Sequence, residues 1–338
     1  MTCAEQIINK VEPLYKNRVA FVCYNASMWD SLESVYLLAK KKGWKIDVYA
    51  PYYHKGYDYV TEYKKLRKLI KHKVLYKYNP NTRYDIIFNN NPYDAENYVT
   101  CLDGKFWNKN LSKICNCLVY IPYASVPNYV DKNAITTNGV LMSDMVVVEN
   151  EFIKKLFCDT IREYLASIGI TTGADCSAKI FAFGSPKYDK VLNDKKENYK
   201  LPRKWKKMIG NKKVVTLNTS LIPMLNNENK LNDIARIIDE YYDDDEYILW
   251  WRPHPLTMAT LEILKPHLLN DYIELVEWYK DNNIGIFDDT ENLHRSIAYS
   301  DYCISDQSSV RYLYEVANKK IILIDKYVDK LKQMCYND

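Results

Sequence analysis

Glycine is scarce in this chain, with nine residues among 338. None of them lies in the G-x-G-x-x-G pattern that lets a backbone approach the pyrophosphate of a dinucleotide, and none belongs to the G-x-x-x-x-G-K-[ST] loop that wraps the phosphates of ATP. The sequence therefore argues against NAD-dependent enzymes and P-loop ATPases. Any bound phosphate must be held by helix N-termini, hydroxyls and single cations instead.

Long apolar runs and a strong charge of one sign are also lacking. No stretch approaches ~18 uninterrupted apolar residues, and the first residues do not combine a basic segment, an apolar segment and a cleavage site. We therefore expect neither export nor membrane spanning and predict a cytoplasmic protein. Lys and Arg number 47 against 43 Asp and Glu, a net charge of +4, so we expect no nucleic-acid partner.

Patterned metal ligands are absent as well. The chain has five histidines and nine cysteines, and an odd number of cysteines, several of them inside apolar runs, predicts reduced core thiols rather than disulfides. Cys115 and Cys117 are close in sequence, but no second pair and no histidine cluster accompanies them. We assign no metal ligand and predict no required cofactor, and a role for a divalent metal stays open.

Short apolar, β-branched runs alternate with helical patterns along the whole length, and hydrophobic residues make up 47% of the chain. This alternation is typical of parallel sheets built from strand–helix–strand units. The predicted strands are 18–24, 45–50, 85–88, 117–121, 144–148, 213–217, 247–251, 285–287, 302–304 and 320–324. The predicted helices include 28–42, which Gly43 ends, 227–242, 258–264 and 308–316.

The length predicts two domains, because a single core usually stops growing at roughly 250 to 300 residues. Apolar density falls between 184 and 203, where Pro186, Pro202 and a polar run at 193–198 occur, a composition typical of an interdomain connection. We predict an α/β protein of two Rossmann-like domains, 1–190 and 191–338, facing a central cleft.

One strand-to-loop junction carries two informative side chains. Residues 250–255 read WWRPHP, so Arg252 and His254 follow a buried strand, at the sheet edge where α/β folds bind ligands. Arginine offers a planar fork to phosphate oxygens, and histidine can donate a hydrogen bond or a proton to a leaving phosphate. The alternative is a stiff loop with a solvated charge, and we favour an active site.

Two further junctions carry polar side chains. Residues 300–310 read SDYCISDQSSV and place Ser308 and Ser309 at a helix start, where free N–H groups can hold an anion; ordinary capping by Asp306 or Ser308 is the alternative. Residues 288–290, Asp-Asp-Thr, either cap the next helix or offer a carboxylate to a ribose hydroxyl. His294, within that helix, is interpreted as structural.

Residues 62–78 contain seven cations. Leu66, Leu69, Ile70 and Val74 fall on one stripe of the predicted helix. A basic amphipathic helix can lie on an anionic membrane or meet an anionic polymer, although such a pattern is more often a solvated face. Peripheral contact with an anionic membrane is therefore a prediction from this segment.

Three motifs in chain order carry a resemblance to a known family. GSPKYD at 184–189, RPHP at 252–255 and SDQSSV at 305–310 resemble the G-x-P-R-x-D, R-x-H-P and S-D-x-S-S series of the CDP-glycerol glycerophosphotransferases, which prime and polymerise teichoic acids and related capsule polymers. A looser similarity at 21–34, 91–94 and 120–123 is that of a short bacterial branch. The resemblance implies a glycosyltransferase-B architecture, with an N-terminal acceptor domain and a C-terminal nucleotide-donor domain.

The resemblance also implies the chemistry. Arg252 and His254 would face the pyrophosphate of CDP-glycerol or a related nucleotide-activated donor, an acceptor hydroxyl would attack the β-phosphate, and CMP would leave. The acceptor would be a glycan or lipid-linked precursor at the inner face of the membrane. The implied donor-binding residues are Ser308, Ser309, Asp306, Asp289, Gly184, Ser185, Pro186 and Lys187, and the acceptor-side candidates are Asn91 and Tyr123.

The general base departs from the family pattern. The polymerases carry a His-Gly-Thr/Met motif in the first domain, whereas the matching stretch here, 120–125, reads YIPYAS. Asp30, in the first strand-to-helix loop, is the leading substitute, and a structural aspartate of a helical first turn is the alternative. Lys187 stands where the family has arginine, which keeps the charge and loses the bidentate fork.

The predicted catalytic residues are thus His254, Arg252 and Asp30. Two other functions stay open, because a fold does not fix a function. One is a glycosyltransferase that uses a nucleotide sugar. The other is a non-catalytic donor-binding subunit of a capsule-synthesis complex, which the missing histidine would suit.

Overall fold

The fold is that of a computed structural model, which describes residues 1–51, 59–70, 73–76, 81–95, 101–170, 176–290 and 292–335. The chain divides into two compact units, Met1–Lys190 (the N-terminal unit) and Val191–Asp338 (the C-terminal unit). Each unit is built around one parallel sheet.

Seven described strands form the sheet of the N-terminal unit: β1 (Val19–Val22), β2 (Ile46–Tyr49), β3 (Val74–Leu75), β4 (Tyr84–Asn89), β5 (Cys115–Tyr120), β6 (Met145–Val148) and β7 (Ile180–Ala182). Their order is β3-β2-β1-β4-β5-β6-β7, and every pairing is parallel. The helices are α1 (Cys3–Val11), α2 (Glu33–Lys41), α3 (Tyr59–Ile70), α4 (Asn108–Leu111), α5 (Lys132–Ile135), α6 (Asn138–Leu141), α7 (Glu151–Ser167) and α8 (Pro186–Asn193), the last of which crosses the boundary between the units.

Five described strands form the sheet of the C-terminal unit: β8 (Lys213–Thr219), β9 (Tyr247–Pro253), β10 (Gly285–Phe287), β11 (Tyr302–Ser305) and β12 (Lys320–Leu323). Their order is β10-β9-β8-β11-β12, again with parallel pairings only. The helices are α9 (Arg203–Ile209), α10 (Leu221–Asn226), α11 (Lys230–Glu240), α12 (Thr257–Leu264), α13 (Pro266–Asp281), α14 (Leu293–Tyr299), α15 (Ser309–Val316) and α16 (Ile324–Cys335).

Burial on both faces explains why the central strands read as continuous apolar runs. β1 (VAFV) and β6 (MVVV) are buried at all four positions, as expected for parallel strands with helices on both sides. Within β1, Phe21 stacks on Phe88 of β4 at 4.6 Å between ring centroids, in the core of one face. Ala20 and Val22 belong to the core of the other face.

Both sheets reverse their winding direction at one point. In the N-terminal unit this point lies between β1 and β4, and in the C-terminal unit between β8 and β11. Ligands of open α/β sheets bind outside the carboxyl ends of the strands at such a switch point. The predicted α/β class with two Rossmann-like domains is confirmed, and each sheet has one edge where a site is expected.

Several predicted boundaries differ from the observed ones. The predicted helix 28–42 begins as a 3-10 segment, Ala26–Ser31, because the Asn25 side chain accepts the Ser27 N–H at 2.9 Å, and α2 follows only at Glu33. The predicted helical stripe of 62–78 ends early, because Val74 lies in the short strand β3 rather than in α3. Positions 71, 72, 77 and 78 lie outside the described residues.

The stretch 184–203 is more regular than its composition indicates. Pro186 is the first residue of α8, and a 3-10 segment covers Lys196–Asn198. A proline suits the first helical position because the N–H that it lacks has no partner within the helix there. Within the described ranges, no helix has both the length and the apolar character that crossing a bilayer requires.

Candidate functional site

A buried carboxylate lies at the carboxyl edge of the C-terminal sheet. Asp288, which follows β10, is 0% exposed. It accepts a hydrogen bond from Trp250 Nε1 at 3.0 Å, and its oxygens lie 3.0 Å from Arg252 Nη1 and 3.3 Å from Arg295 Nη2. Two guanidinium groups therefore share one carboxylate, and the cluster keeps a net positive charge.

The loop that follows β10 and contains Asp288 also holds Arg252 through Thr290. Arg252 is the penultimate residue of β9, is 7% exposed, and donates from Nη2 to the carbonyl of Thr290 at 2.6 Å. Thr290 in turn donates its N–H and hydroxyl to Asp288 Oδ1, at 3.0 and 2.7 Å. The guanidinium plane is thus fixed at the sheet edge where a phosphate was expected.

Capping by residues 288–290, one of the two predicted alternatives, is wrong. The helix that contains His294 is capped by Asn292, whose Oδ1 accepts the Arg295 N–H at 3.1 Å. Asp288 does not cap it because its oxygens face the two arginines and Thr290. Asp289, the predicted donor-binding neighbour, is exposed.

His254 is held as a neutral donor. Its Nδ1 accepts the N–H of Leu256 at 3.2 Å, which places the proton of the neutral ring on Nε2. Burial lowers the pKa of His254 below its ordinary value, so the neutral form dominates at physiological pH. The His254 carbonyl accepts the N–H and the hydroxyl of Thr257, at 3.0 and 2.8 Å, which fixes the loop at the start of α12.

The switch point between β8 and β11 is cross-linked by polar side chains. Asn218 of β8 donates to Ser305 Oγ at 3.0 Å and to Ser308 Oγ at 3.2 Å. Asp306 accepts the Ser220 N–H at 2.8 Å and lies 2.9 Å from Lys230 Nζ. Burial by itself would lower the pKa of Lys230, but hydrogen bonds to Asp325 and Asp306 raise it above its ordinary value, so the ammonium stays charged.

These contacts leave the start of α15 without a side-chain cap. The predicted alternative of ordinary capping by Asp306 or Ser308 is wrong, because the carboxylate is used by Ser220 and Lys230 and the Ser308 side chain makes no capping bond. The Arg311 N–H bonds to the Ser308 carbonyl at 3.3 Å. Ser308 and Ser309 are half-buried, so the first turn of the helix presents its N–H groups and two hydroxyls at the switch point.

Residues 184–189 lie in the N-terminal unit. Gly184 has φ +93°, a conformation that favours glycine, Ser185 is buried, and the Pro186 carbonyl accepts the Ser34 hydroxyl at 3.0 Å. Asp189 accepts the N–H groups of Cys3 and Ala4, at 3.0 and 2.7 Å. This motif therefore ties α8 to the starts of α1 and α2, and donor binding by 184–187 stays a prediction.

Two residues that were predicted for different roles form an ion pair. Lys187 Nζ lies 3.1 Å from Asp30 Oδ1, with the side chains 12% and 8% exposed. Asp30 belongs to the 3-10 segment that follows β1. The base assigned to Asp30 and the phosphate contact assigned to Lys187 therefore compete with this pair, and both stay predictions.

The acceptor-side candidates lie at the carboxyl edge of β4 and β5. Asn91 is 1% exposed, and its side chain closes on the backbone of Tyr93, accepting the N–H at 3.1 Å and donating to the carbonyl at 2.6 Å. Tyr123 is half-buried, and its ring centroid is 6.2 Å from that of Tyr24. Burial, with the neighbouring Tyr93, raises the pKa of Tyr123, so its hydroxyl stays protonated.

Glu149 was not singled out from the sequence. It comes directly after β6 and accepts the Ser125 hydroxyl at 3.0 Å and the Val126 N–H at 3.2 Å, both on Oε1. Burial raises the pKa of Glu149 to about 7. The signal was available, because the rule that drew attention to Arg252, a polar residue directly after an apolar strand, applies equally to the run MVVVE.

Three further observations concern side chains of the types that can ligate metals. In the described part of the chain, no three His, Cys, Asp or Glu side chains come together as a metal site would require. The eight cysteines whose side chains are described are free thiols. His294 is buried, and its Nδ1 lies 3.3 Å from Asp194.

No family model and no curated protein sequence matches the chain. Among solved structures, the UDP-GlcNAc 2-epimerase of Methanocaldococcus jannaschii, in complex with UDP-GlcNAc and UDP, aligns over 90% of this chain and 83% of its own, with 14% identity and a TM-score of 0.57. The UDP-GlcNAc 2-epimerase of Neisseria meningitidis, bound to UDP-GlcNAc, aligns over 90% and 82%, with 15% identity and a TM-score of 0.54.

At these identities the similarity shows the fold alone, which is of the glycosyltransferase-B type. The wall teichoic acid polymerase TagF aligns over 82% of this chain and 70% of its own, with 15% identity and a TM-score of 0.38. That score is too low to carry an argument about function.

Proposed function

We propose that the protein is a transferase that moves a glycerol-phosphate, or a similar alditol-phosphate, unit from a CDP-linked donor to a glycan or lipid-linked acceptor of cell-wall or capsule synthesis. The observation that carries the proposal is the polar edge of the C-terminal sheet. A net positive arginine cluster, a neutral histidine donor and an uncapped helix start lie after strands of one sheet. Each of these suits a phosphate.

The donor would be held by these three groups. The N–H groups of the first turn of α15 and the hydroxyls of Ser308 and Ser309 would donate hydrogen bonds to phosphate oxygens. Arg252 is fixed by Asp288 and Thr290, so it meets the pyrophosphate without losing side-chain freedom on binding. His254, with its proton on Nε2, donates a hydrogen bond to the bridging or leaving phosphate oxygen.

The reaction is a phosphoryl transfer. An acceptor hydroxyl oxygen forms a bond to the β-phosphorus of the donor, and the bond from that phosphorus to the oxygen that bridges to the α-phosphate breaks. CMP leaves with the bridging oxygen, and the alditol stays on the transferred phosphate as a phosphodiester. The hydroxyl proton passes to a base of the N-terminal unit.

We assign that base to Glu149 in place of Asp30. Glu149 lies at the carboxyl edge of the N-terminal sheet, and Ser125 and Val126 both donate to Oε1, which orients the carboxylate and leaves Oε2 to take a proton. A pKa of about 7 is near the optimum for a general base at neutral pH. Asp30, by contrast, lies 3.1 Å from the ammonium of Lys187.

A transferase that uses a nucleotide sugar is the second candidate. It is favoured by the fold of the similar structures, two of which are epimerases with UDP-GlcNAc bound. A third candidate is a donor-binding subunit without catalysis, which the missing first-domain histidine would suit. A base role for Glu149 argues against this candidate, because the histidine is then not needed.

Calorimetric titration with CDP-glycerol, CDP-ribitol, CDP and UDP-GlcNAc distinguishes these readings. We expect cytidine-selective binding that weakens by about tenfold or more in His254→Ala, the effect of losing one hydrogen bond to a charged group. Preference for UDP-GlcNAc would instead favour the second candidate. Cytidine-selective binding without CMP release across a panel of acceptors would leave only the donor-binding subunit.

A further inference from the structure

One long stretch of the C-terminal unit carries positive charge without any acidic residue. The 30 residues from 198 to 227 contain no Asp or Glu. They contain seven cations, namely Lys200, Arg203, Lys204, Lys206, Lys207, Lys212 and Lys213. The whole chain carries only +4, so this stretch is a local excess and not a reflection of the average.

The fold places four of these cations, Arg203, Lys204, Lys206 and Lys207, on the outer side of α9. The inner side of the helix, Trp205, Met208 and Ile209, packs against the sheet core of Val214, Ile248, Trp250 and Ile286. The Trp205 and Trp250 rings meet at 5.1 Å between centroids. Because this apolar side packs on the sheet core, the opposite side of the helix faces away from the core. Every cation of the helix is exposed there.

In the described ranges, the side chains of five of the seven cations have neither an ion pair nor a hydrogen bond. Lys213 pairs with Glu246 at 2.7 Å, and Lys212 donates to the Asp244 carbonyl. The other five, Lys200, Arg203, Lys204, Lys206 and Lys207, are exposed and form no ion pair with any carboxylate in the described ranges. We call these five the α9 basic surface. This surface ends near Lys207, because Lys207 lines a shallow depression that Asp245 and Glu246 also line.

We propose that the α9 basic surface is the contact of this protein with a membrane that carries anionic lipids. Four of its five cations are lysines, which act as point charges and suit a diffuse anionic surface more than the bidentate capture of one phosphate. Chains of sugars or nucleotides are usually held by stacking on aromatic faces. The aromatic residue of α9, Trp205, is engaged with Trp250 and with the Arg295 guanidinium, 4.4 Å from its ring.

This inference does not depend on the proposed donor chemistry. It also differs from the membrane contact expected at residues 62–78. In α3, Lys65 pairs with Glu62 at 3.4 Å, while Lys64, Arg67 and Lys68 are exposed. The α9 basic surface carries more uncompensated charge than the described part of α3, and the two helices can be tested separately.

Vesicle flotation tests the proposal. The full chain is mixed with phosphatidylcholine vesicles, or with phosphatidylcholine–phosphatidylglycerol vesicles at about 70:30, at low and at physiological salt. We expect flotation only with the anionic vesicles and a loss of binding as salt rises. Lys206→Gln with Lys207→Gln should lower the partition coefficient by about 25-fold, because each Lys or Arg near the surface contributes about fivefold.

The matched control is Lys326→Gln with Lys330→Gln on α16. These two exposed lysines belong to the same unit and lie beside Asp325 and Asp329, so we expect no change in flotation. A third variant, Lys64→Gln with Lys68→Gln, should also leave flotation within about twofold. Equal binding to neutral vesicles, no binding at all, or a loss confined to the α3 variant would each overturn the proposal.

Discussion

At the residue scale, Asp288 shows why the arginine of the RPHP motif can serve a ligand. A buried guanidinium is costly unless a carboxylate compensates it, and here one carboxylate lies within 3.3 Å of two guanidinium groups. The excess positive charge stays at the sheet edge. The sequence-based prediction placed Asp289, and not Asp288, among the donor-binding residues, because the burial of Asp288 arises from packing against Trp250 and the two arginines.

The first prediction concerns this carboxylate. Asp288→Asn should lower the free energy of unfolding by about 3 to 5 kcal/mol, because it leaves two buried guanidinium groups without a counter-charge. Asp289→Asn is the matched control at the exposed neighbour and should change stability by no more than about 0.5 kcal/mol. Urea unfolding of both variants measures the difference. Equal losses would contradict the role assigned to Asp288.

The second prediction concerns Glu149. Glu149→Gln should lower kcat by about 10² to 10⁴, the usual contribution of a general base, and should leave donor binding unchanged. In the wild type the rate should rise with pH through about 7, since the base must be deprotonated, and this limb should vanish in the variant. Glu151→Gln, at the exposed first turn of α7, is the control. Loss of activity in Asp30→Asn with an active Glu149→Gln would return the role to Asp30.

The same group gives a third prediction, for stability against pH. Burial raises the pKa of Glu149 in the folded state above its value in the unfolded chain, so the folded state binds the proton more tightly. Its stabilising contribution is present below the unfolded pKa and is lost as pH rises from about 4.5 to about 7. Glu149→Gln should remove this slope from urea unfolding measured across that range. An unchanged slope would contradict the raised pKa.

At the scale of elements, the first turn of α15 has N–H groups that no side chain caps. Ser308 would cap an ordinary helix, but it makes no capping bond, and Asn218 donates to its hydroxyl. An open helix start costs stability that a cap would restore. The arrangement is explained if a ligand anion completes the first turn.

The fourth prediction separates stability from binding at this element. Ser309→Asp places a negative charge in the first turn of α15, which should raise the free energy of unfolding by about 0.3 to 1 kcal/mol through the helix dipole. The same charge repels a phosphate, so affinity for CDP-glycerol should fall by at least about tenfold. Ser309→Ala is the control for the lost hydroxyl. If the aspartate variant is stabilised and binds the donor normally, no anion binds at this helix start.

At the scale of the whole molecule, the sequence predicted the positions of most strands along the chain but not their order in the sheets. Apolar runs such as VAFV and MVVV predicted parallel strands buried on both faces, and the motifs at 252–255 and 305–310 were correctly placed after strands of one sheet. The short strands β3 and β7, of two and three residues, were not predicted, because a periodic pattern needs a longer run of residues.

The contacts and the pKa values of the site residues could mostly not be predicted from the sequence. Lys187 and Asp30, which form an ion pair, are 157 positions apart in the chain, and no local sequence pattern predicts that they meet. The pKa of Glu149 is likewise raised by burial in the folded chain, and the hydrogen bonds from Ser125 and Val126 lower it only in part. Such properties depend on long-range packing, which a single sequence does not display.

The proposed transfer of an alditol phosphate requires CMP release and phosphodiester formation to occur together. The most direct test is phosphorus NMR of a reaction that contains CDP-glycerol, the purified chain and a lipid-linked glycan acceptor. We expect CMP and a new phosphodiester resonance to grow in equal amounts, and both to be lost in His254→Ala and in Glu149→Gln. Turnover of UDP-GlcNAc with no consumption of CDP-glycerol would rule out the proposed transfer.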